Sequence, residues 1–199
     1  MKKIITLLTM LLVSFNSQAT LLSVDFNQDS YQVGDVLTAD FIISDIEEDG
    51  LGLQKLLASF DFTLSWDNSI IDYVSSSFGN KLNVGVAGSD QSVFDIMTDS
   101  VSLSEISSAW WDELLPVQDG LNQFVLASVN FNVTGAGTSI LALSKVIFGD
   151  DFGISFADVS SSNASFIVNS VDPVDVPEPM SVVLMLIALT VLARQRKLN

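Results

Sequence analysis

The sequence contains no cysteine and no histidine. Disulfides, thiolate nucleophiles, Cys- or His-ligated zinc, haem on His and Ser-His-Asp triads are therefore all excluded. Basic residues are scarce: 8 Lys+Arg stand against 24 Asp+Glu, a formal net charge of −16. Nucleic-acid binding needs clustered Lys and Arg for phosphate contacts, so that class is excluded too. There are four prolines among 199 residues, and three of them crowd near the C-terminus.

What charge there is divides the chain into unlike parts. Lys2 and Lys3 open it, and Arg194, Arg196 and Lys197 close it. Between Thr20 and Pro177, 3 lysines face 23 acids, a net charge of −20. The long apolar runs also lie at the two ends. Basic, apolar ends around an acidic middle read as an exported domain with targeting segments.

Residues 1–19 read as a signal peptide. Lys2-Lys3 is the positive region, Ile4 to Val13 a short apolar core, and Ser17-Gln18-Ala19 places small residues where signal peptidase inspects. The expected cut falls between Ala19 and Thr20. The apolar run is roughly half of the ~20 residues that span a bilayer, which argues against a membrane helix.

At the other end, residues 169–179 form a proline-rich linker carrying Pro173, Pro177 and Pro179, which forbid helix and favour an extended chain. The apolar stretch 182–193 follows, and then Arg194-Gln195-Arg196-Lys197. Counted even from Met180, a helix here would be about 21 Å long against a bilayer core of about 30 Å. That suits transient membrane insertion better than a permanent anchor. Pro177-Glu178-Pro179, an apolar stretch and an Arg-rich tail together resemble the PEP-CTERM sorting signal of Gram-negative bacteria. The resemblance implies an exosortase as processing enzyme beside signal peptidase, and delivery to the cell envelope, outer surface or extracellular matrix of an exopolysaccharide-making cell. A short tail anchor is the alternative.

The middle, residues 20–168, alternates with period two, which marks half-buried strands. Ala58, Phe60, Phe62, Leu64 and Trp66 share one face, and Ser59, Asp61, Thr63 and Ser65 the other. Leu37, Ala39, Phe41 and Ile43 repeat the pattern, as do Val125, Ala127, Val129, Phe131 and Val133. Further strands are expected near 70–74, 81–86, 93–97, 138–148, 152–156 and 164–168. The expected class is all-β: a two-sheet, jelly-roll-like sandwich of about nine strands. One helix is expected over Ser104 to Leu115, stopped by Pro116.

The order of these features resembles the cohesin domain, a sandwich related to carbohydrate-binding modules. The residues that carry it are Ser23-Val24-Asp25, Tyr31-Gln32-Val33-Gly34-Asp35, the run Phe60 to Asp67, and Leu126 to Val133 followed by Gly135 to Leu143. Trp66 stands where the family usually has Tyr, and 88–120 does not match. The resemblance implies a protein-binding module, and in cohesins the partner is a calcium-loaded dockerin.

Few residues carry chemistry. Asp45, Glu47 and Asp49, followed by Gly50, are spaced like the first half of a calcium loop, but position twelve is Leu56 where a bidentate Glu would close it. They form at most a weak calcium candidate, and otherwise a solvated hairpin. Trp110-Trp111 is an adjacent aromatic pair in a polar stretch, a candidate for stacking on sugar rings. Ser59, Asp61, Thr63 and Ser65 are a candidate protein-binding face. No local motif singles out a catalytic carboxylate pair, so no catalytic residue and no cofactor is assigned.

The sequence thus reads as an exported, non-enzymatic surface or biofilm-matrix protein binding neutral polysaccharide. A cohesin-like protein-binding module is the first alternative, and a carboxylate-based glycoside hydrolase the second.

Overall fold

The computed structural model describes residues 19–170 together with Met185. The signal peptide up to residue 18, the Pro177-Glu178-Pro179 motif and the apolar sorting helix expected over 182–193 lie outside the described residues, apart from Met185. Among the described residues no helix is long and apolar enough to cross a membrane.

Within residues 19–170, eleven strands and one short helix follow in order: β1 Thr20–Phe26, β2 Tyr31–Gln32, β3 Val36–Ser44, β4 Leu57–Ser65, β5 Ile71–Phe78, β6 Ser89–Phe94, β7 Ser100–Ser107, α1 Trp111–Gln118, β8 Gln123–Val133, β9 Gly137–Asp150, β10 Val159–Ser161 and β11 Ala164–Asn169. They build a five-stranded sheet, β10-β1-β3-β8-β5, and a six-stranded sheet, β2-β11-β9-β4-β7-β6. The alternating apolar faces require this pairing of layers, because each sheet has one face to remove from water. Phe41 of the first sheet meets Phe62 of the second at 4.9 Å between ring centroids. Trp66 packs edge-on against Phe131 at 5.1 Å. Full burial of each such side chain contributes about 1.5–3 kcal/mol, so this inner layer is the main source of stability.

The two-sheet sandwich is as expected, and several local readings are corrected. Residues 104–107 continue β7 and are not helical. Val101 and Leu103 point inward and pair across to Leu64 and Phe62, and that long-range pairing overrides the local helix signal. The helix starts only at Trp111, with the Trp110 amide donating to Glu113 Oε2 at 3.0 Å. Pro116 lies inside it rather than ending it. In so short a helix the missing amide forfeits one bond, to the Asp112 carbonyl. Residues 81–86 and 152–156 are not strands but parts of loops. In β8 a bulge opposite Phe41 and Ile42 turns both Leu126 and Ala127 inward, so Val125 leaves the inward register assigned to it.

Topology sorts the loops between two ends. The end where β4 starts and β9 finishes, marked by the pair Leu57–Asp150, carries the connections 45–56, 79–88, 108–122 and 151–158. β11 leaves at the opposite end, where Val168 pairs with both Gly137 and Tyr31.

Candidate functional site

The outer face of the six-stranded sheet is built by four strands in register. Ser59, Asp61, Thr63 and Ser65 of β4 all point outward, as the alternation requires. Ile106, Ser104, Ser102 and Ser100 of β7 lie directly opposite them. On the other flank Asp61 pairs with Ile147, Thr63 with Ser144 and Ser65 with Ala142. Beyond β7, the β6 residues Asp90, Ser92 and Phe94 pair with Ile106, Ser104 and Ser102. The centre of this face is thus made of small side chains, held flat by bonds such as Thr63 Oγ1 to Ser102 Oγ at 2.9 Å. Opposite Ser59 stands Gly149, where any Cβ would collide with the Ser59 Oγ, so the surface is kept low at that point by the absence of a side chain.

Apolar side chains project around that flat centre. Ile106, Ile147, Ile140, Ile167 and Phe94 are exposed and share the outward register. The outer face of the other sheet is polar by comparison: Ser128, Asn130 and Asn132 of β8 stand beside Thr38 and Asp40 of β3, with only Val36 and Val74 as large exposed apolar groups. Asp61 is the one acid at the centre of the six-stranded face. Burial holds its carboxyl above the ordinary carboxylate range, nearby Asp95 adds to the effect, and Lys145 opposes it.

The other sequence-derived candidates lie at the end where β4 begins. Trp110 and Trp111 are 74% and 57% exposed and take no part in the core. Trp66 is core, buried among Tyr73 and Phe131. Of Asp45, Glu47 and Asp49, the last two are engaged separately. Glu47 forms an ion pair with Lys55 and accepts the Ala157 amide at 3.1 Å. Asp49 accepts the Leu51 and Leu53 amides at 2.8 and 3.0 Å, which lowers its pKa. Among the described residues no group of three or more His, Cys, Asp or Glu is placed to hold a metal ion.

Two residues of structural consequence were not singled out from sequence. Gln118, fully buried, ties α1 to β4: its Oε1 accepts the Leu57 amide and its Nε2 donates to the Leu57 and Lys81 carbonyls. Glu105 is 1% exposed, its Oε1 accepting from Ser89 and Gln91 while Oε2 has no partner. Its inward register follows from the alternation of Val101 and Leu103, a signal legible once 100–107 is known to be strand.

No family model matches this chain, and no curated protein matches it. Solved structures do. The seventh ScaB type I cohesin from Pseudobacteroides cellulosolvens superposes with a TM-score of 0.57 at 15% identity, over 79% of this chain and 96% of that one. The sixth cohesin from scaffoldin B of Acetivibrio cellulolyticus, solved in complex with a Cel5 dockerin, gives 0.53 at 16%, over 76% and 99%. A non-cellulosomal cohesin from the archaeon Archaeoglobus fulgidus gives 0.54 at 16%, over 76% and 92%. With nearly the whole length of each module accounted for, this chain has the cohesin fold.

Proposed function

We propose that this chain is an exported, non-enzymatic binding module that grips a protein partner through the outer face of its six-stranded sheet. The observation that carries the reading is the contrast between the two outer faces: five large apolar side chains ring a flat Ser-rich centre on one, and two valines stand on the other. A flat centre of small residues admits a partner backbone closely, and the projecting Ile and Phe offer the apolar anchors that dominate interface energies. The dockerin in complex with the Acetivibrio cellulolyticus cohesin shows one such partner for this fold.

Export rests on the leader, and the first strand is consistent with it: β1 begins at Thr20, so a cut after Ala19 removes none of it. Sorting by an exosortase rests on Pro177-Glu178-Pro179 and the tail. Polysaccharide binding is the second reading, and the exposure of Trp110 and Trp111 favours it. One experiment separates the two. Ile106→Lys, Ile147→Lys and Trp110→Ala are compared for retention on a panel of immobilised dockerins and on neutral polysaccharide gels, with melting as the folding control. Loss of dockerin retention in the two Ile variants alone supports the sheet face. Glycan retention that only Trp110→Ala removes supports the second reading, and retention of neither kind overturns both.

A further inference from the structure

The four loops at the end where β4 begins carry a concentration of apolar side chains that neither the core nor the sheet face uses. Leu51 is 85% and Phe152 81% exposed, and Leu53, Ile154, Val86 and Trp110 are also open to solvent. These residues come from the connections 45–56, 79–88, 108–122 and 151–158, remote in sequence and gathered only by the topology. Single exposed apolar residues are ordinary, but a cluster from four segments at one end of a domain marks an interaction surface.

Two of these loops are built alike. In 49–53, Asp-Gly-Leu-Gly-Leu, the Asp49 carboxylate accepts the Leu51 and Leu53 amides, and the Asp49 amide bonds the Leu53 carbonyl at 2.7 Å. In 150–154, Asp-Asp-Phe-Gly-Ile, Asp150 does the same for the Phe152 and Ile154 amides, and its own amide bonds the Ile154 carbonyl at 2.9 Å. Gly52 and Gly153 take the positive φ, +79° and +76°, that closes each turn. A rigid loop presents its apolar tip without the ordering cost that a floppy one incurs on binding. The two tips are bridged at their base by Glu47, which pairs with Lys55 of one loop and accepts the Ala157 amide of the other.

Charge specifies the occupant. The segments 45–56, 79–88, 108–122 and 150–158 hold ten carboxylates and two lysines, and one of those lysines, Lys55, is tied up with Glu47. Such a rim repels anionic lipid and acidic polymers and attracts a basic surface. We propose that this end of the sandwich is a second docking surface, separate from the sheet face, for a protein partner that offers apolar pockets ringed by basic side chains. β11 ends at the opposite end of the sandwich, where Val168 pairs with Gly137.

The probe is a synthetic amphipathic helix of Lys and Leu, with Lys→Glu and Leu→Ser counterparts, titrated against the exported domain by calorimetry. The expected result is saturable binding of the Lys/Leu peptide alone, weakened by high salt. The paired variant Leu51→Ser with Phe152→Ser should weaken it about tenfold. Ile147→Lys, on the sheet face, and Ile96→Ser with Met97→Ser, at the opposite end, should leave it unchanged with melting unaltered. Four results overturn the proposal: equal loss in the opposite-end variant; equal binding of the Leu→Ser peptide, which means charge alone; binding to phosphatidylcholine vesicles that the loop variant abolishes, which means a lipid surface; and self-association in sedimentation equilibrium that the loop variant abolishes, which means a second copy.

Discussion

Replacing Gln118 by Leu probes the joint between α1 and the sandwich. Gln118 is fully buried and makes three bonds: the Leu57 amide donates to it at 2.8 Å, and it donates to the Leu57 carbonyl at 2.8 Å and the Lys81 carbonyl at 3.1 Å. Leucine fills a similar volume, so no large cavity opens. It leaves one amide and two carbonyls without partners, each costing about 1–3 kcal/mol when buried. The apolar side chain recovers about 1–2 kcal/mol by leaving water. A net loss of about 3 kcal/mol is expected, a large share of the 5–15 kcal/mol typical of a domain. For a domain near this size that corresponds to a melting point lower by about 6–12 °C. The assay is thermal unfolding followed by circular dichroism. Gln118→Glu sharpens the test. It keeps an acceptor for the Leu57 amide, loses both donors and faces two carbonyls with a carboxylate. Its defect should therefore be at least as large at neutral pH and should shrink in acid, where the carboxyl gains a proton to donate. If Gln118→Leu melts within about 1 kcal/mol of the parent, the buried bonds are not what fixes α1, and the reasoning fails.

Tyr31 predicts an alkaline limit. Its ring is buried and its hydroxyl donates to Asn27 Oδ1 at 2.7 Å. Burial raises its pKa above the ordinary tyrosine value, the carboxylates of Asp25, Asp29 and Asp35 add to this, and the Gln28 amide opposes it. The folded state thus keeps a proton that the unfolded state loses near about pH 10, so the stability from this group is complete below that pH and falls above it. Melting points measured across the alkaline range should fall more steeply in the parent than in Tyr31→Phe, and equal slopes would refute the assignment. Export makes the other prediction: N-terminal sequencing of the exported protein should begin at Thr20. The Thr20 nitrogen already donates to the Asp158 carbonyl at 2.9 Å, a bond that a new terminal ammonium would keep. A start inside β1 would refute the cut. Intact mass of surface material from a host with an exosortase should show loss of residues 182–199, and recovery of the intact Arg-Gln-Arg-Lys end would refute sorting.

The inward set of β3 and the run Phe60, Phe62 and Leu64 of β4 were legible in sequence, because period-two alternation is a local property and the burial of one face enforces it, whereas a register shift between Leu57 and Ser59 buries Leu57 in place of Ala58. So were the sandwich class, the core position of Trp66 and the outward register of Ser59, Asp61, Thr63 and Ser65. Segment 104–107 was misread as helix, where Glu105 and Ile106 blur the alternation. What settled it is pairing with β4 and β6, a contact between residues some forty and some ten positions away. The bulge in β8 belongs to the same class, since it exists only against the partner strand. The sequence also set the charge of every loop but not their company. That 45–56, 79–88, 108–122 and 151–158 meet at one end, with Gln118 pinning the helix and Glu47 joining two loops, is decided by strand order. Local periodicity says which way a side chain points. Only the closed sheets say what stands beside it.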